Sequence, residues 1–126
     1  MNLNITKKTM INAKDVINFI DNLIYKRIDF NTCCYPTICK IRFYDKDGYC
    51  ITIILNTEEN YIDINFPKTN QIRITNISKI DILDLQRTFI AAEECSKAAS
   101  EYKFRHYFDK INEVDKTIDN LDDDED

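Results

Sequence analysis

Apolar and polar residues alternate from Ile38 to Thr75 strictly enough to predict a four-stranded antiparallel meander and its register. Asp45-Lys46-Asp47-Gly48 suits a type I turn closed by a glycine bulge, so Asp45 faces Tyr49. Phe43 then faces Ile51, Ile41 faces Ile53 and Cys39 faces Leu55. Thr57-Glu58-Glu59-Asn60 works as a four-residue loop that sets Leu55 against Ile62, Ile53 against Ile64 and Ile51 against Phe66. A three-residue loop would set Leu55 against Asp63, and a one-residue slip moves every side chain to the wrong face. At the third turn, Pro67 to Asn70 with Asn70 left-handed is expected to pair Phe66 with Ile72 and Ile64 with Ile74.

Helical spacing flanks the meander on both sides. Asn12 as cap, Asp15 at the third helical position and an Ile11–Val16 staple open a first helix. Its stripe is Val16, Phe19, Ile20, Leu23 and Ile24, and it is expected to end near Ile28. Residues 29 to 37, with Cys33, Cys34 and Pro36, then read as a connector. A second helical segment opens at Ser78, with Asp81 at its third position and an Ile77–Ile82 staple, and contains neither Gly nor Pro afterwards. Ile82, Leu85, Phe89 and Ala92 suit the apolar sheet face. After Ser100 the stripe changes phase to Phe104, Tyr107, Ile111, Val114, Ile118 and Leu121, the spacing of a two-helix seam. That segment either folds back as a hairpin or meets its copy, so residues 79–121 read as one long helix or a helix pair; the expectation is a homodimer with this stripe as its self-association seam. The expected class is α+β, with the C-terminal helix or helices on one face of the sheet.

Charge changes this picture at the C-terminus only. The chain of 126 residues carries a net charge of −5, but Asp119, Asp122, Asp123, Asp124, Glu125 and Asp126 leave residues 1–118 at +1. Residues 1–118 are therefore expected to form one domain, and residues 119–126 an acidic, solvated and disordered tail. The polar N-terminus gives no signal-peptide pattern, and no apolar run approaches the roughly 20 residues of a membrane span. Five cysteines, an odd number without secretory context, fit a reducing cytoplasm. Abundant Ile, Asn, Lys and Asp beside one Gly point to an AT-rich genome, such as a low-GC bacterium, its phage or a large virus.

Catalytic chemistry finds little support in these residues. A single glycine, Gly48, excludes the P-loop and the dinucleotide fingerprint. Cys95 and His106, the lone histidine, lie roughly 16 Å apart on a continuous helix, at ~1.5 Å per residue. The register sends Cys39 and Cys50 to opposite faces, which dismantles a zinc set with Cys33 and Cys34. His106, Asp109 and Glu113 share a helical face but read as solvated charges, so no metal and no cofactor are expected. One constellation remains: Lys40, Arg42, Tyr44, Tyr61 and Arg73 on the polar sheet face, cations beside rings. The expectation is a non-enzymatic cytoplasmic binding protein, a phage or mobile-element product of anti-defence type that inhibits a host protein. The alternative is a nucleotide or single-stranded nucleic-acid binder using that polar face.

Overall fold

The computed structural model describes residues 10–35, 37–95 and 103–112. Helix α1 (Ala13–Asp21) precedes five strands, β1 (Arg27–Tyr35), β2 (Ile38–Tyr44), β3 (Cys50–Asn56), β4 (Tyr61–Asn65) and β5 (Gln71–Ile74). Helix α2 (Lys79–Glu94) follows, and residues 104–112 form a further helical segment, α3. The strands make one antiparallel sheet in chain order, β1-β2-β3-β4-β5. The class is α+β, with five strands where alternation alone predicts four.

The first two turns carry the expected registers. The Asp45 amide donates to the Tyr49 carbonyl at 2.9 Å, and Gly48 takes φ +87°, which a side chain would strain. Ile41 pairs with Ile53 and Cys39 with Leu55, then Leu55 with Ile62 and Ile53 with Ile64. The third turn differs. Lys68, at φ 68°, is left-handed, whereas Asn70 is extended, and the Phe66 amide donates to the Asn70 carbonyl at 2.8 Å. The loop is thus three residues, Ile64 pairs with Ile72 and Ile62 with Ile74. This shift of two residues preserves the faces, because the side-chain period is two. Phe66 consequently packs edge-on against Phe19 of α1, with ring centroids 6.3 Å apart.

The additional strand, β1, replaces both the last turn of the expected first helix and the connector. Helix α1 stops at Asp21, with Asn22 as its C-cap. From Arg27 the chain alternates: Ile28 faces Phe43 and Phe30 faces Ile41, which widens the apolar face by one strand. A helix continued to Ile28 would forgo that pairing. Ile24, expected on the helical stripe, is 94% exposed.

The described helices all lie on the apolar face. Val16, Ile17 and Ile20 of α1 and Ile82, Leu85, Phe89 and Ala92 of α2 are buried with Cys39, Ile41, Ile53, Leu55, Ile62 and Ile64 of the sheet. The helix N-termini are joined. Ile11 bridges Ile77, and the Ala13 amide donates to Asp81 Oδ1 at 3.2 Å while the Ser78 hydroxyl donates to Asp81 Oδ2 at 2.7 Å. One carboxylate thereby serves the otherwise unsatisfied first turns of two helices, where negative charge is favourable.

Helix α2 and α3 form a pair. Phe104 and Phe89 have ring centroids 5.6 Å apart. On an uninterrupted helix, fifteen residues would separate them by roughly 22 Å. Asp21, at the end of α1, receives the returning segment: its carboxylate accepts from the Phe104 amide at 2.7 Å and the Arg105 amide at 3.0 Å, capping α3 from outside.

Tyr25 sits beside this junction, its ring 5.0 Å from that of Phe43. Burial first, then the charge of Asp21, then Tyr107, push its phenol above the ordinary value. The folded state therefore holds the proton more tightly than the unfolded chain. This contribution to stability is fully present below the unfolded pKa of about 10 and is lost as pH rises through the folded value. Urea titrations at about pH 8 and about pH 11 are expected to show an alkaline loss of stability that Tyr25→Phe reduces. An identical loss in both proteins would contradict this linkage.

Candidate binding face

The other face of the sheet carries no helix among the described residues, and strand pairing arranges its side chains in rows. Arg27, Tyr44 and Cys50 form the first row, and Asp29, Arg42, Thr52, Asn65 and Gln71 the second. Asn31, Lys40, Ile54, Asp63 and Arg73 form the third, and Ile38, Asn56 and Tyr61 the fourth. The structure brings Lys40, Arg42, Tyr44, Tyr61 and Arg73, expected together from the alternation, onto this one surface. It adds Arg27, Asp29 and Asn31, which the connector reading of β1 missed. The signal for them lies in residues 27–31, where polar and apolar residues alternate.

Three of the five expected residues, Arg73, Tyr61 and Tyr44, have engaged neighbours. The Arg73 guanidinium lies 4.0 Å from the centroid of the Tyr61 ring and donates through Nε and Nη2 to the Asp63 carboxylate, at 2.8 and 3.0 Å. The hydrogen bond to Asp63 is the largest cause raising the Arg73 pKa; desolvation opposes it, and Asp63, Tyr61 and Glu59 add to it electrostatically. A bidentate fork holds a guanidinium plane in place more firmly than a single contact. Tyr61 is fixed from its other end, where the Asn56 amide donates to its hydroxyl at 3.2 Å.

A similar arrangement stands at the opposite corner. The Arg27 guanidinium lies 4.1 Å from the centroid of the Tyr44 ring, with Asp29 at 3.6 Å from Arg27 Nη2. Both pairs are cation–π contacts, with guanidinium over ring. Among the described residues these rows thus hold four cations against two carboxylates, Asp29 beside Arg27 and cross-strand from Arg42, and Asp63 in the fork of Arg73. Lys40 and Arg42, on β2 with Tyr44, have no ion-pair partner among the described residues.

The expected seam is divided. Phe104 and Tyr107 are 1% and 5% exposed within the chain's own core, and Phe104 also meets Phe30 and Phe43 at 6.4 and 5.7 Å. Ile111 is half-buried, while Val114, Ile118 and Leu121 lie outside the described residues, as does the acidic run of 119–126. A dimer built on this stripe would rest on Ile111 and those undescribed positions.

The cysteines follow the sheet's two faces. Cys39 is buried on the apolar side, and Cys50 lies on the open side with its sulfur 3.9 Å from the Thr52 hydroxyl. Cys95, exposed, caps the end of α2, and His106 lies edge-on to Tyr107 on α3, so the two do not share a continuous helix. Among the described residues no group of three or more His, Cys, Asp or Glu side chains is placed to hold a metal, and no helix is long and apolar enough to cross a membrane. No protein-family model, curated protein or solved structure matches this chain.

Proposed function

We propose that this is a non-enzymatic binding protein that presents the open face of its sheet to a macromolecular partner. The observation that carries this reading is the one-sided architecture of the described residues: three helices bury one face, and the other displays Lys40 and Arg42 without an ion pair among those residues, between two arginine-covered tyrosines. A sheet face with unneutralised cations that no helix covers suits an anionic surface. In this proposal the chain is a phage or mobile-element product that binds and inhibits a factor of its host in the host cytoplasm. Its abundant Ile, Asn, Lys and Asp beside a single glycine, which suit an AT-rich coding sequence, support that extension.

The test is capture from a lysate of a low-GC bacterium on the immobilised full chain, with three proteins side by side. The unaltered chain is expected to retain a partner, Lys40→Glu/Arg42→Glu to lose it, and Ile80→Ser, on the exposed side of α2, to keep it. Retention by the double variant, or no specific partner for the unaltered chain, would overturn the reading.

A further inference from the structure

We propose that the partner is a single-stranded nucleic acid lying diagonally across the open face from Tyr44 to Tyr61. The inference rests on the proposed use of this face and adds the chemistry of its occupant.

The charge pattern points first to phosphates. Asp63 is consumed by the Arg73 fork, and Asp29, cross-strand from Arg42, makes its ion pair with Arg27. Lys40 and Arg42 occupy alternate positions of β2, side by side on one face. Residues spaced by two on a strand stand ~7 Å apart. This gives a short cationic track for an extended phosphate backbone, in which Arg42 supplies a planar fork and Lys40 a point charge.

The ring pattern distinguishes an unpaired strand from a duplex and from an acidic protein. A protein surface would satisfy the cations without needing planar groups, and a duplex hides the faces of its bases. Single strands expose those faces, and they are held on aromatic rings and guanidinium planes. The open face has two such platforms, Arg27 over Tyr44 and Arg73 over Tyr61, each on a different strand and at opposite ends of the rows. Three rows along and two strands across place them roughly 22 Å apart. Thr52 and Ile54 lie along the diagonal between them, with Arg42 and Lys40 beside it on β2. Bases would stack at the two ends while phosphates meet the cations in the middle.

The Arg73–Tyr61 platform is also held before any ligand arrives. Asp63 fixes the plane of Arg73, and Asn56 fixes the hydroxyl of Tyr61. Holding groups in their bound geometry lowers the ordering cost of association.

Fluorescence anisotropy tests this with the full chain and labelled single-stranded DNA and RNA of about twelve nucleotides, beside the matching duplex. Single strands are expected to bind at least about tenfold tighter than the duplex, since stacking is available only to them. Tyr44→Leu and Tyr61→Leu are each expected to weaken binding roughly tenfold. Lys40→Ala/Arg42→Ala should flatten the salt dependence by about 1.4 units of log–log slope, while Arg87→Ala, on α2, leaves affinity and salt dependence unchanged. Circular dichroism confirms that each variant is folded. Equal affinity for duplex and single strand, or tyrosine variants that bind normally, would overturn the inference. If no oligonucleotide binds while lysate capture still depends on Lys40 and Arg42, the occupant is a protein; the nucleic-acid inference then fails and the binding face stands. If both assays are negative, both proposals fall.

Discussion

Phe104→Ala is expected to lower the stability of the fold by about 3–5 kcal/mol, the range for removing a buried aromatic side chain. Phe104 is 1% exposed, and its ring contacts those of Phe30 on β1, Phe43 on β2 and Phe89 on α2. It therefore joins α3 to the sheet and to α2 at a single point. Edge-on and tilted ring pairs add about 0.5–1.5 kcal/mol each beyond the area they bury. Few neighbouring groups can collapse into the space it leaves, because β1 and β2 are held by their ladder and α2 by its own packing. Urea denaturation measures the loss. A loss below about 1 kcal/mol would mean that α3 is not part of the core.

The same junction gives the variant a specific signature. Asp21 caps α3 through the Phe104 and Arg105 amides, so cap and ring hold one segment together. Asp21→Ala alone is expected to cost about 1–2 kcal/mol. Combined with Phe104→Ala it should cost less than the two losses together, because a segment already released has no cap to lose.

The meander was readable because its information is local. Side chains alternate with period two, and the first two turns state their type through Asp45 to Gly48 and Thr57 to Asn60. Tyr44 and Tyr61 fall on one surface by the same parity. The third turn escaped because a slip of two residues keeps every face intact. It also hid the ion pair: with Ile64 opposite Ile74, Arg73 would oppose Asn65, whereas the actual register sets it against Asp63. Strand β1 escaped for a different reason. Leu23 and Ile24 continue the helical spacing of α1, and the alternation of residues 27–31 is short, with a break in pairing between Asn31 and Tyr35. With β1 unseen, Arg27 was missing from the site and Tyr44 looked uncovered. The end of α2 carries no glycine or proline. The chain turns back there because Phe104 finds Phe30, Phe43 and Phe89, three partners distant in sequence and invisible to any local pattern.

Everything proposed for the open face depends on the sheet having one buried and one bare side, and two adjacent isoleucines of β3 report on that directly. Ile53 points into the core, is not exposed at all and pairs with Ile41 and Ile64. Ile54 points the other way, half-buried among Lys40 and Asp63 in the third row. Threonine keeps the β-branch and the strand preference at both positions, so the comparison isolates burial. Ile53→Thr loses buried apolar contacts and places a hydroxyl in the core, an expected loss of about 2–4 kcal/mol. Ile54→Thr trades a half-exposed ethyl group for a hydroxyl that water can reach, an expected change within about 1 kcal/mol. The deciding measurement is the urea unfolding free energy of these two variants under one set of conditions. A large loss for Ile53→Thr beside a small one for Ile54→Thr is the predicted result. Equal losses, or the reverse order, would contradict the one-sided sheet.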